Sequence, residues 1–259
     1  MSFRCREAVV GAALLIVASH STAAELVVCA DPDNLPYSRE DGAGFENRIV
    51  QLVADEMGAQ LRYVWQPLRR GVVRKTLNAK ACDVLAGVPV GLEIVSTTRP
   101  YYRSGFVFVY RRDAALLESF DDPRLRTLRV GVQLVGADMA ATPAAQALAT
   151  RGIVDNVVGF PVYGQRPSAQ RMIDALERGR LDVGVVWGPQ AGYFVKRAHT
   201  PLAMTLAQDP TRLDFAIAMA VRKSDTGLRD ELDATLARSR DRVRAILAEF
   251  DVPRVEPSP

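Results

Sequence analysis

The 259-residue chain is poor in the side chains most enzymes rely on: two histidines and three cysteines, with aromatics at 7%. His20 and Cys5 fall within the first 24 residues, so the remainder holds only His199, Cys29 and Cys82. A Ser-His-Asp arrangement would have to use His199, and no Gly-x-Ser-x-Gly elbow accompanies it. Flanked by Ala198 and Thr200, it reads as a surface residue. Zinc sites need several His or Cys ligands, which excludes them here, and no Cys-x-x-Cys-His attaches a haem. Gly42-Ala43-Gly44 lacks the later glycine of a dinucleotide fingerprint. Asp31-Pro32-Asp33 opens like a calcium loop, but Leu35 and Pro36 stand where a ligand and the turn glycine belong. Acids are abundant, yet no pair is singled out for acid–base work. A cofactor, a metal and catalysis are therefore not expected. Nor is there an excess of one charge. Arg4, Arg6 and Glu7 lie in the first 24 of 33 basic and 30 acidic residues, leaving 31 against 29, a net +2. That balance gives no reason to expect nucleic acid.

What is present begins with an address. Arg4 and Arg6 precede an apolar run from Val9 to Ala18, and Thr22-Ala23-Ala24 offers small residues for cleavage. This is the pattern of a secretory signal peptide over residues 1–24. A membrane span needs about 20 apolar residues, and neither this run nor any later one is that long. The mature protein is expected in the periplasm, exported through this segment. In an oxidising compartment Cys29 and Cys82 read either as a disulfide or as two buried thiols.

From Leu26 the chain alternates strand and helix signals. Leu26–Ala30 is a strand, Phe45 to Met57 a helix closed by Gly58, and Leu61, Tyr63 and Trp65 alternate as a second strand. Val72 to Leu77 suggests a helix and Asp83–Val88 a third strand. The pattern restarts with strands at Leu128–Val132, Val157-Val158 and Leu181–Trp187. One helix begins at Thr142-Pro143 and closes at Gly152, and another, marked by Met172, Ile173 and Leu176, stops at Gly179. Phe106–Tyr110 and Phe215–Val221 read as two crossover strands, and the apolar spacing from Leu228 to Phe250 as terminal helix. The expected fold class is α/β, type II periplasmic-binding-protein-like, with two α/β lobes joined by two crossover strands. Lobe I would comprise residues 25–110 and 214–255, and lobe II residues 111–213.

Ligands in such folds sit beyond the carboxyl ends of the strands. The stretch Ser96–Ser104, with Arg99, Tyr101, Tyr102 and Arg103, is expected at the cleft mouth. Arg69, Arg70, Arg99 and Arg103 could clamp a carboxylate or phosphate. Trp65, Tyr101, Tyr102, Tyr163, Trp187 and Tyr193 could line a pocket or anchor a partner. Asp31, Asn34 and Tyr37, from the proline-stiffened loop after the first strand, complete the expected ligand- or partner-binding cleft.

Several of these motifs, in fixed order, resemble one family. Cys29-Ala-Asp-Pro-Asp-Asn-Leu-Pro-Tyr-Ser, Gly44-Phe-Glu-Asn, Arg69-Arg-Gly, Cys82-Asp-Val, Gly87-Val-Pro, Thr98-Arg-Pro-Tyr-Tyr-Arg-Ser and Trp187-Gly-Pro-Gln-Ala-Gly-Tyr-Phe look like the MxaJ/XoxJ proteins. These are periplasmic binding-protein-like components encoded with PQQ-dependent methanol or related alcohol dehydrogenases. The resemblance implies a non-catalytic accessory role in maturing or activating such a quinoprotein dehydrogenase by contact, with its c-type cytochrome as a second candidate partner. The alternative is an ABC-transporter receptor for a small-molecule ligand. Amino-acid receptors of this fold carry Thr-x-Glu-Arg after the third strand, whereas Val88-Pro-Val-Gly-Leu-Glu-Ile offers no arginine before Arg99. A Ser or Thr that opens the second lobe's first helix is replaced by Gly136-Ala137-Asp138, which would repel an anion. The aspartate that takes the ligand amine is missing around Trp187-Gly188-Pro189. A buried charged ligand without these partners is disfavoured, so an amino acid is not the expected ligand.

Overall fold

The computed structural model describes residues 24–135, 139–162, 164, 166–209, 211 and 213–256. Tyr163 and Gly136–Asp138 of the expected cleft lie outside the described residues. The first lobe opens with β1 (Glu25–Ala30), the short strands β2 (Asp33–Asn34) and β3 (Ser38–Arg39), and helix α1 (Phe45–Met57). Gly58, at φ 65°, gives α1 its left-handed stop, and its N–H donates to Ala54 and Asp55 carbonyls. Next come β4 (Gln60–Trp65), a single turn α2 (Val72–Lys75), β5 (Val84–Pro89), β6 (Ser96–Thr97) and the long β7 (Tyr102–Arg111).

The second α/β unit contains β8 (Val130–Val135), β9 (Ala140–Ala141), α3 (Pro143–Ala149), β10 (Val157–Pro161) and α4 (Ser168–Glu177). It continues with β11 (Val183–Trp187), α5 (Gly188–Val195) and β12 (Leu202–Leu206). Strand β13 (Asp214–Val221) leads back, and α6 (Thr226–Arg238) and α7 (Arg240–Glu249) end the chain, divided at Ser239.

The main strands follow the order β10-β8-β11-β7-β13-β5-β1-β4. The flanks are parallel: β1 with β4 and β5, β8 with β10 and β11. At the centre β7 and β13 run antiparallel, Tyr102 opposite Ile217 and Gly105 opposite Asp214. The first half of β7 thus belongs to one lobe's sheet. Its second half pairs with β11 and β12 in the other, Phe106 opposite Trp187 and Leu206 opposite Val107. A strand flanked on both edges and covered on both faces must be apolar throughout, which is why Phe106–Tyr110 reads as an unbroken run.

Strand periodicity sorts each core into two layers. Leu26 and Val28 meet Phe45, Ile49 and Val53 of α1 with Leu232 and Leu247 of α6 and α7. Val27 and Cys29 face the other way, onto Leu77, Cys82 and Leu85. In the second lobe Phe106, Phe108 and Tyr110 meet the α3 side, while Val107 and Val109 meet α4 and α5. Cys29 and Cys82 are bonded, with Cα atoms 5.6 Å apart and a sequence separation of 53.

The Trp187-Gly-Pro-Gln-Ala-Gly-Tyr-Phe segment is helix α5, pressed onto the C-terminal tail. A Cβ at Gly192 would lie 1.9 Å from the Asp251 carbonyl oxygen, and one at Gly188 would lie 2.6 Å from Ser104 Oγ. Tyr193 stacks on Phe250, and Lys196 donates to the Glu249 carbonyl and pairs with Asp251. This corrects the expected position of the Ser96–Ser104 stretch. Ser96 and Thr97 pair with Val221 and Ala220, on the edge of β13 opposite β5. The stretch therefore runs along the β7 edge of β13: Tyr101 still reaches the strand ends, where its hydroxyl accepts from Gly87 N, while Arg99 and Arg103 pair elsewhere, with Asp233 and Asp214.

Replacing Cys29 and Cys82 by alanine is expected to lower stability by about 4 kcal/mol from the loop released, read as a reductant-sensitive shift in the denaturant midpoint. Gly192→Ala is expected to cost about 1–3 kcal/mol because the clash is with backbone; Gly227→Ala, with open space around it, serves as the neutral control in the same melts.

Candidate functional site at the strand ends between the lobes

The site is assembled by the turn that enters α1. A Cβ at Gly44 would sit 2.0 Å from the Tyr37 carbonyl oxygen, so only glycine lets the helix start against this loop. The N–H groups of Phe45 and Glu46 donate to the carbonyls of Pro36 and Tyr37 at 2.8 and 2.9 Å. Asn47 Oδ1 accepts from Arg39 N and Gly44 N, tying β3 and the N-cap to the first helical turn. Phe45 fills the core beneath, edge-on to Tyr37, Tyr102 and Phe250.

This geometry drives Glu46 inward. It is 6% exposed, its Oε1 has no hydrogen-bond partner among the described residues, and it rests against Gly87 at the end of β5. Gly87 has φ +71°, and a Cβ there would be 2.1 Å from Glu46 Oε1, so backbone and contact both demand glycine. The Gly87 N–H donates to the Tyr101 hydroxyl at 3.1 Å. A cavity of about 10 Å³ beside Glu46, Asn47, Tyr63 and Ala86 is about the size of one water.

Burial pushes the Glu46 carboxyl up to about 8. Burial likewise raises the Tyr37, Tyr101 and Tyr102 phenols well above the usual range, and the neighbouring Glu46 adds to each. Near neutrality the cluster is mostly uncharged: one carboxylic acid among three phenols.

The second lobe contributes Trp187. Its ring packs edge-on against Phe106 and Phe215 at 5.6 and 5.7 Å, and its side chain neighbours the Tyr37 phenol of the other lobe, partly offsetting the rise that burial imposes on it. Gln133 holds the end of β11: its Oε1 accepts from Trp187 N, and its Nε2 donates to Ser168 and Gln190.

Of the expected cleft residues, the structure brings together Tyr37, Tyr101 and Trp187, with Tyr102 behind Phe45. Asp31 is a loop staple, accepting from the N–H groups of Asp33 and Leu68. The Asn34 carbonyl accepts from Tyr37 N. Trp65 stacks on Tyr63 at 4.5 Å at the end of β4, the outermost strand of its lobe. Arg69 and Arg70 are exposed in the turn before α2. Arg99 and Arg103 do not face this cluster: Arg99 reaches Asp233 of α6 and Arg103 pairs with Asp214. Tyr193 lies between Phe250 and the Arg197 guanidinium, 3.6 Å from its ring centre. Nothing local in Gly44-Phe-Glu-Asn singles out Glu46, because an acid in a first helical turn ordinarily answers the helix dipole from the surface.

A carboxyl whose folded pKa is raised weakens the fold as pH rises. The liability is absent below the unfolded value of 4.5, grows between there and about 8, and is constant above. Glu46→Gln should remove it. Thermal melts from pH 5 to pH 9 are expected to show the variant gaining on the parent through this window, by roughly several kcal/mol at the top. Parallel curves would mean that Glu46 is not buried as described.

Residues 26–248 match the bacterial extracellular solute-binding proteins, family 3. The chain is 36% identical over 258 residues to "Protein MoxJ" of Methylorubrum extorquens, covering 91% of this chain and 83% of that one. Among solved structures it is similar to the periplasmic binding protein XoxJ from Methylobacterium extorquens AM1, at 32% identity and TM-score 0.76, over 90% of this chain and all of that one. It is also similar to MxaJ from Methlophaga aminisulfidivorans MPT, at 26% identity and TM-score 0.78, over 89% of this chain and all of that one. An ancestral cationic amino acid solute-binding protein, at 20% identity and TM-score 0.70, shares the fold. The chain belongs to the family 3 extracellular solute-binding proteins and, within them, to the MxaJ/XoxJ group.

Proposed function

We propose that this protein is a non-catalytic periplasmic accessory protein of a methanol dehydrogenase system, supporting maturation or activation of a PQQ-dependent methanol or alcohol dehydrogenase. It would act through the cluster of Tyr37, Tyr101 and Trp187 or the surface adjoining it. Its relationship to MoxJ, XoxJ and MxaJ supports the association. The observation that carries the reading against an amino-acid receptor is the direction of Arg99. The first arginine after β5 turns to Asp233 on α6, so it brings no counter-charge for a ligand carboxylate to the strand ends. What the cluster offers instead is aromatic surface, phenol hydroxyls and a largely protonated carboxyl. Such groups suit an apolar or uncharged segment of a partner, in which Tyr and Trp serve as anchors.

The second reading is a receptor for a small uncharged ligand, favoured by the family's solute-binding character and by the donor and acceptor groups around Glu46. A tagged pull-down from periplasmic extract separates the two. Co-elution of a quinoprotein dehydrogenase or its c-type cytochrome with the parent, reduced several-fold by Trp187→Ala with Tyr37→Phe, is the expected result. A small molecule released on denaturation, with no dehydrogenase recovered, would favour the receptor.

A further inference from the structure

We infer that the groove between β7, α6, α7 and the C-terminal tail is a second docking surface, built to take an extended acidic segment of a partner protein. The groove encloses about 370 Å³, within the usual range of ligand sites. It lies beside the start of β7; Tyr101 and Tyr102 line it too, but Tyr37, Glu46 and Trp187 do not. The inference is independent of the dehydrogenase reading.

Charge is the first observation. The groove is lined by Arg99, Arg103, Arg240, Arg244 and Arg254 against only Asp233 and Glu256, a net +3. Residues 25–259 together carry only +2. A chain close to electrical balance therefore concentrates its positive charge in one depression, where low-dielectric walls focus the field.

The second observation is how little of this charge is used internally. The side chains of Arg240 and Arg254 have no ion pair or hydrogen bond among the described residues. Among the described residues Arg244 approaches only the exposed Asp241, at 3.8 Å. Arg99, with 73% of its side chain exposed, stands 3.7 Å from Asp233. Pairs of this kind contribute at most about 1 kcal/mol, so these guanidiniums are available to a visitor. Arg103 is the exception, held by Asp214.

The third observation is the floor. Tyr102, Leu236, Val243 and Leu247 are buried side chains that also line the groove, beside Pro100. Apolar floor and cationic rim together fit a chain with alternating acidic and apolar side chains better than a small inorganic anion, which would need several guanidiniums converging on one point. Arg240 and Arg244 lie one turn apart on α7, while Arg254 and Arg99 come from two other segments, so the positive charge is distributed along the groove. The tail already shows that an extended segment is accepted nearby, since Val255 N donates to the Arg103 carbonyl at 3.0 Å.

The test uses the mature full chain and a short fluorescein-labelled peptide of alternating aspartate and leucine, followed by anisotropy. Binding is expected to weaken about tenfold or more between low and physiological salt. Arg240→Glu with Arg244→Glu should weaken it about tenfold or more, with an unchanged melting curve because both side chains are exposed. Trp187→Ala should bind like the parent, which separates this groove from the strand-end cluster. An asparagine–leucine peptide should not bind. Unchanged affinity in the double charge reversal would overturn the inference. So would inorganic pyrophosphate displacing the peptide at equal concentration, which would make the groove a small-anion site, or phosphatidylglycerol vesicles doing so, which would make it a lipid contact.

Discussion

The antiparallel pairing of β7 with β13 is the constraint on which the rest of the molecule depends. It puts one continuous strand in both sheets, so that Tyr102–Gly105 register against β13 while Phe106–Tyr110 register against β11. Because side chains alternate along a strand, this register also fixes which residues reach which core. Phe106 and Phe108 meet α3's side, Val107 and Val109 meet α4 and α5, and Ser104 is left to accept the tail, donating to the Pro253 carbonyl at 2.5 Å. A slip of one residue would invert every one of these assignments.

Close backbone approach makes the arrangement stiff. Gly188 and Gly192 let α5 touch the β7 backbone and the Asp251 carbonyl, and Gly44 and Gly87 let α1 enter against the loop after β1 and the end of β5. These contacts hold the lobes where Trp187 can reach Tyr37. They also enclose Glu46 so fully that its carboxyl is favoured in the neutral form. A buried acid that weakens the fold across the neutral range is a stability cost at the lobe junction, and such costs are commonly found where a protein meets its ligand or partner.

The two regions of interest differ in chemistry. At the strand ends the charge is buried and suppressed; along α7 it is exposed and accumulated. Arg99 links the two accounts, since its turn toward Asp233 removes a cation from the first and adds one to the second. A protein with both surfaces can hold an apolar element and an acidic element of a partner at once, and joining two modest contacts raises the effective concentration of each.

The sequence alone determined the strand–helix alternation, the two crossover strands, the stop of α1 at Gly58 and the capped start of α3 at Thr142-Pro143, because these depend on local periodicity and turn chemistry. It also identified Trp187, Tyr101 and Tyr37 as residues worth watching. Local signals were silent elsewhere. That Cys29 and Cys82 meet, that Trp187-Gly-Pro-Gln-Ala-Gly-Tyr-Phe is a helix packed on the tail, and that Arg99 reaches Asp233 of α6 while Arg103 pairs with Asp214 of β13 are facts about distant partners. Only the tertiary structure decided them, since the position of the Ser96–Ser104 stretch depends on which edge of β13 it pairs with, and an edge is chosen by the whole sheet. The same holds for Glu46: a first-turn acid is ordinary until Gly87, more than forty residues away, removes the space for water around it.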